Sequence, residues 1–173
     1  MKTTGMVRRV DSLGRIVIPK EIRKVLKIKE NEKVEINVSG EEIILNRYSD
    51  LNEYSESLKN LLDIISQIYK VDILLTDLNS FKYTTKNYSY LENKEISPYL
   101  SSILDDRRDV LEKNKISISL NSSVPSIETS FLVKTLIING DSTGLVIFLS
   151  NDISNMDLNL VDVVLNYLEK ELE

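Results

Sequence analysis

The sequence predicts an α+β chain in two parts: a small β-rich head over residues 1–50, and a larger body built as an antiparallel sheet flanked by helices. Three observations carry this. Short β-branched runs, broken by Asp-Ser-Leu-Gly and by Ser-Gly, fill the first 50 residues. Apolar residues step by 3 and 4 along 51–70 and again along 157–173, which is helical spacing. Between those helices lie several β-rich runs, and the last two are joined by a glycine turn.

The head takes its elements in quick succession. Met1 to Gly5 is a short polar arm. Met6 to Val10 (MVRRV) is expected as a strand, and Asp11-Ser12-Leu13-Gly14 as a turn in which Gly14 can take positive φ. Arg15 to Ile18 returns as a second strand. Pro19 breaks the ladder and suits the first turn of a helix, Lys20 to Leu26. Ile22, Val25 and Leu26 form its apolar side; Lys20, Arg23, Lys24 and Lys27 form its polar side. Lys33 to Val38 alternates as a strand, Ser39-Gly40 is a hairpin signal, and Glu42 to Arg47 closes the head. So few residues bury little, and a core much below about 60 residues is marginal without disulfides or metal. The head is therefore expected to fold as an obligate dimer that pools two half-cores.

Charge divides the chain in the same place. The net charge of −5 splits into +3 over residues 1–50 and −8 over 51–173, and residues 1–29 alone carry +7. A basic head on an acidic body points to one anionic partner met at one end. There is no cysteine and no histidine, which removes disulfides, thiolate and imidazole metal sites, and Cys- or His-based catalysis. No enzyme activity, catalytic residue, metal or cofactor is assigned. No apolar run reaches the roughly 20 residues of a membrane span, and no apolar leader follows the N-terminus. The expectation is a cytoplasmic protein with no membrane partner.

The run TGMVRRVDSLGRIVIPKEIRKVL is very similar to the DNA-binding domain of the AbrB family of transition-state regulators, and the resemblance extends through Tyr48. It implies a swapped-hairpin β-barrel in which two chains interleave, and a basic face that binds double-stranded DNA. Carried over residue by residue, that face holds Arg8, Arg15 and Arg23, with Lys24 at a position where relatives often have arginine. Lysine keeps the charge and loses the bidentate fork. Arg9 and Lys2 join the candidate set with weaker grounds, since strand alternation points Arg9 away from Arg8. The physics agrees: cations on a dimer face neutralise phosphates, and arginine can read guanine edges. A solvated charged face is the plain alternative.

Residues 51–70 read as a linker or coiled-coil helix, with Asp50 as N-cap and Glu53 at the capping-box position. Leu51, Tyr54, Leu58, Leu61, Ile65 and Ile68 make a heptad seam; Leu62, Ile64 and Tyr69 add a second apolar face. That width suggests one face on the body and one on a partner helix. In the body, 71–173, strands are expected at Val71–Leu78, Phe81–Thr85, Ile116–Leu120, Thr129–Asn139 and Thr143–Ser150, the last two joined through Gly140-Asp141-Ser142. Asn87–Glu95 reads as loop. Ser97-Pro98 opens a helix expected to run to about Glu112. The last helix, Asp157–Glu173, carries Leu158, Val161, Leu165, Leu168 and Leu172 at heptad steps.

This element order looks like a GAF domain, a small ligand-sensing fold. Over its full length, including the DDRR run at Asp105–Arg108 and the hairpin Asn139–Gly144, the chain resembles a family of AbrB-headed sporulation regulators of endospore-forming bacteria. The resemblance implies a transcription regulator, activator or repressor, of sporulation genes. Its body would sense a small molecule or control oligomerisation, with a homodimer through the head and a homotetramer through helices of the body. A pocket is expected between the sheet and residues 87–112, with Tyr83, Tyr88, Tyr90 and Tyr99 as lining candidates. Arg107 and Arg108 are expected to pair with acidic neighbours. Two other readings stay open: an antitoxin-like DNA-binding protein, and a body used only for oligomerisation.

Overall fold

A computed structural model describes residues 5–26, 28, 32–48, 51 and 56–172, and the chain divides into two units, Met1–Tyr48 and Ser49–Glu173. Lys2, Lys27, Asp50, Glu53 and Tyr54 lie outside the described residues.

The first unit holds a helix, α1 (Lys20–Val25), and a hairpin of β1 (Val34–Ser39) and β2 (Glu42–Arg47). The register runs from Val34 opposite Arg47 to Ser39 opposite Glu42, which leaves Gly40 and Glu41 as the turn. Gly40 takes φ 60°, the left-handed region that glycine enters without steric cost. Ile36 faces Leu45 and Val38 faces Ile43, so one side of the hairpin is apolar, and all four side chains are exposed. Among the described residues of this unit only Pro19 is buried. The two strands expected at Met6–Val10 and Arg15–Ile18 do not form ladders within the chain. Their arms meet through the turn at Asp11–Arg15, and nothing else among the described residues of the unit is placed to pair with them.

The second unit is a five-stranded sheet in the order β4-β3-β7-β6-β5, with every pairing antiparallel. Its strands are β3 (Asp72–Thr76), β4 (Phe81–Thr84), β5 (Val110–Ile118), β6 (Ile127–Ile138) and β7 (Asp141–Ser150). Side chains of a strand alternate between faces, so each central strand feeds two cores. Leu145, Ile147 and Leu149 of β7 pack with Leu74, Phe131 and Val133 against α3 (Pro98–Asp105). Val146 and Phe148 pack with Ile73, Leu75 and Leu132 against α2 (Glu56–Tyr69) and α4 (Leu158–Leu172). Helices therefore cover both faces. The turn between β6 and β7 is Asn139-Gly140, with φ of 52° and 86°, the two positive values of a type I′ hairpin.

The helix opening at Ser97 is shorter than its sequence suggests. Ser97 caps it by accepting the Leu100 N–H at 3.2 Å, and Pro98 takes the first position. It stops at Asp105, and residues from Val110 form a strand where helix was expected to Glu112. Arg107 sits at φ 50° and donates its N–H to Leu104; Arg108 donates to Ile103. These are the two bonds of a Schellman stop, closed by an arginine instead of the usual glycine. Asn87–Glu95, read as loop, overlaps a 3-10 helix at Lys86–Leu91.

Candidate nucleic-acid interface

Arg8 and Arg9 lie on the arm before the first turn, Arg15 immediately after it, and Arg23 and Lys24 in the last turn of α1; all five are exposed. The helix begins because Pro19 presets its entry and the Pro19 carbonyl accepts the Arg23 N–H at 3.0 Å. Cations in its last turn complement the negative end of the helix dipole. The geometry unites one pair in particular. The Asp11 carboxylate closes the turn with Oδ1, which accepts the N–H groups of Leu13 and Arg15 at 2.9 Å each. Its Oδ2 accepts Arg15 Nε at 2.8 Å. The Gly14 N–H returns to the Asp11 carbonyl with φ 76°, the conformation that makes glycine useful there. The backbone bond and then the side chain of Arg15 hold the Asp11 carboxyl below its ordinary range. From sequence Asp11 reads as a turn former or a partner for a neighbouring arginine, and the structure shows it doing both, with Arg15 at i,i+4 as that partner.

In the body, the expected pocket between the sheet and residues 87–112 is filled. Phe81, Leu91, Leu100, Ile103, Leu104 and Phe131 are all buried there. Tyr83 does not face that side. A bulge in β4 opposes Phe81 to Thr76 and Tyr83 to Leu75, so the two aromatics take opposite faces. Tyr83 packs against α2 and donates its hydroxyl to Asp63 at 2.8 Å. Tyr88 and Tyr90 sit with ring centroids 6.1 Å apart, and Tyr90 and Tyr99 are exposed. An open polar depression of about 500 Å³ lies instead beside the end of α2, lined among others by Asp63, Lys70, Asp72, Lys86 and Asn87. The carboxylates with no assigned chemistry have structural partners. Asp77 accepts the N–H groups of Asn79 and Ser80 at 2.7 Å and pairs with Lys82 at 3.1 Å. Arg108 pairs with Asp106 at 3.4 Å, as expected, whereas Arg107 donates to the Gly140 carbonyl at 3.2 Å rather than to an acid.

The two long helices bury much of the heptads read in sequence: Leu51, Leu58, Ile65, Val161 and Leu168 are inside, and Leu61, Leu165 and Leu172 pack against the same core. In α2, Leu58, Leu62 and Ile65 are inside with Leu51, while Ile64 and Ile68 are 53% and 67% exposed. In α4, Leu160, Val161, Val164 and Leu168 are inside, and Leu158 and Val163 are exposed. α2 thus keeps an apolar stripe, Ile64 and Ile68, outside its own core. No helix among the described residues is long and apolar enough to cross a membrane.

Comparison with known proteins agrees with this division. Residues 7–50 match the family model of antidote-toxin recognition MazE, the bacterial antitoxin, and residues 45–173 match that of the stage V sporulation protein T C-terminal, transcription factor. The chain is 34% identical over 178 residues to stage V sporulation protein T of Bacillus subtilis, covering 100% of this chain and 99% of that protein. The transition state regulatory protein AbrB of the same organism is 56% identical over 48 residues, 28% of this chain and 50% of that protein. Among solved structures, the cofactor-binding GAF domain of the nutrient sensor CodY from Clostridium difficile is similar at 11% identity and a TM-score of 0.48, over 66% of this chain and 83% of that one. With one relative matched from end to end and a family model over most of its length, the chain belongs to the stage V sporulation protein T family of transcription factors.

Proposed function

We propose that this protein is a DNA-binding transcription regulator of sporulation genes, gripping duplex DNA through the basic face of a dimeric head. The observation that carries the reading is the state of the head itself. Its arginines stand exposed around a turn and a short helix, while Ile36, Val38, Ile43 and Leu45 lie uncovered on one side of the hairpin. Apolar area removed from water contributes about 25 cal/mol per Å², so a unit with one buried residue among those described has little to hold it together alone. A second copy that completes the ladders of 6–10 and 15–18 and covers the apolar face gives both chains a core. That pairing also doubles the cations offered to phosphates. Arg8, Arg15, Arg23 and Lys24 are the proposed contacts, with Arg9 and Lys2 as auxiliaries; the regulator would work in the cytoplasm, where the chromosome is, and no catalysis is assigned to it.

The exposed Ile64 and Ile68 of α2 fit a helical bundle between bodies, which would join head dimers into a tetramer. A small molecule bound to the body would act by favouring one arrangement of these helices over another. Arg8→Ala and Arg15→Ala should each weaken duplex binding by the full-length protein at least tenfold; unchanged binding in both would end the DNA reading. The head's match to an antitoxin model favours one second reading, a DNA-binding antitoxin. The complete five-stranded domain behind the head stands against it. Co-expression with a cognate toxin, and failure to neutralise it, separates the two.

A further inference from the structure

The pair Asp11–Arg15 has a feature that a turn alone does not need. The two carboxylate oxygens divide their work. Oδ1 accepts the N–H groups of Leu13 and Arg15 and shapes the turn, whereas Oδ2 accepts Arg15 Nε. The contact to Arg15 runs through Nε, so the outer edge of the guanidinium, with Nη1 and Nη2, is left out of it, and the side chain is 71% exposed. An unattached arginine on an exposed turn samples many rotamers and must be ordered when it docks. A carboxylate at Nε removes much of that freedom beforehand and keeps a planar fork facing outward. The same carboxylate places a negative charge beside the surface that meets phosphates, which weakens sequence-independent attraction. Its two effects therefore have opposite signs for specific and for non-specific binding.

We infer that Asp11 is a positioning residue for sequence recognition: it fixes Arg15 so that the Nη1/Nη2 fork meets a guanine edge in the major groove. This rests on the DNA-binding reading above. Recognition of guanine by an arginine fork needs the fork held in the plane of the base, and one such contact is worth about tenfold in discrimination. Phosphate contact needs no such alignment. Asp11 thus sacrifices some general affinity for choice of sequence.

Asp11→Asn isolates the claim, because asparagine keeps an oxygen for the Leu13 and Arg15 N–H groups and replaces Oδ2 with a donor that cannot accept from Nε. Duplexes preferred by the full-length wild type are first selected from a random pool. Binding of the wild type, Asp11→Asn and Arg15→Lys is then measured on the selected duplex, on the same duplex with each G·C pair changed to A·T in turn, and on random duplex. Asp11→Asn should hold random duplex as tightly as the wild type or more tightly, and should lose about tenfold of its preference at one G·C position, the position where Arg15→Lys also loses preference. Unchanged discrimination, or equal loss on all duplexes, would overturn the inference and leave Asp11 a turn former. Failure of the wild type to bind any duplex would instead overturn the DNA reading itself. Should the variant fail to fold, the unaltered protein decides: nitrogen relaxation at Arg15 Nε should show order close to that of the backbone, and mobility equal to that of Arg8 and Arg9 would sink the proposal.

Discussion

Among the described residues the fold shifts the titration of Asp11, Tyr88 and Tyr167, and the first two each give a pH prediction. Hydrogen bonds from Arg15 favour the charged Asp11 carboxylate and lower its pKa from 3.8. A lowered carboxylate contributes stability that is present above its ordinary value and is lost as pH falls through the lowered one. The Arg15 Nε contact should therefore survive down to the ordinary aspartate range and break only below it. Carboxyl chemical shifts against pH would show this; an Asp11 that titrates with exposed aspartates would refute it. Tyr88 goes the other way. Burial first, then the negative charge of Asp72 and of Tyr90, pushes its hydroxyl up to about 12. The fold favours neutral Tyr88, so that contribution is whole below pH 10 and disappears as pH rises through the folded value. In an alkaline titration followed by tyrosinate absorbance, Tyr88→Phe should remove a late step. At this scale the basic residues were legible in sequence, because charge needs no partner to be seen. Asp11 was legible as a turn former or a partner for a neighbouring arginine, but not which of its oxygens does which, since that depends on which oxygen faces which nitrogen.

Among elements, the hairpin of β6 and β7 was legible from its β-branched runs and its glycine, although the turn proved to be Asn139-Gly140, tighter than the Gly140–Ser142 that the sequence suggested. Gly144 is the position where backbone comes closest. A Cβ there would stand 1.7 Å from the Thr76 carbonyl oxygen, just after the register shift of β7 against β6. Gly144→Ala should force β3 and β7 apart and cost about 3 kcal/mol or more in urea unfolding; a loss under about 1 kcal/mol would mean the strands yield easily. Ser97→Ala removes the acceptor for the Leu100 N–H and should cost about 1 kcal/mol in the same assay. Two features escaped sequence reading for definite reasons. The end of α3 is closed by Arg107 in the left-handed region, where glycine would have signalled the stop. The bulge in β4 reverses Tyr83 relative to Phe81, and simple alternation has no means of registering an inserted residue.

For the whole molecule, a basic unit with almost no core and an acidic unit with two full cores share one chain. The body's fold class was legible because its sheet and helices are completed within the chain. The head's first two strands, read in the sequence from their β-branched residues, form no ladder among the described residues of the chain, and the proposed dimer is where they would find partners. Residues 1–48 expressed alone should remain dimeric wherever they are folded, with folding and dimerisation lost together on dilution; a stable folded monomer would contradict the shared core. Ile64→Glu with Ile68→Glu should leave the body folded and reduce a tetramer to dimers in light scattering, since both side chains lie outside the core.

The central claim, a dimeric basic face closing on phosphates, is tested most directly by the salt dependence of duplex binding. If two copies of Arg8, Arg23 and Lys24 each neutralise a phosphate at about 0.9 per contact, log K against log salt should fall with a slope of roughly −5. Replacing Arg8 by alanine in both copies should flatten that slope by about 2. A slope shallower than about −2, or one that Arg8→Ala leaves unchanged, would contradict the account.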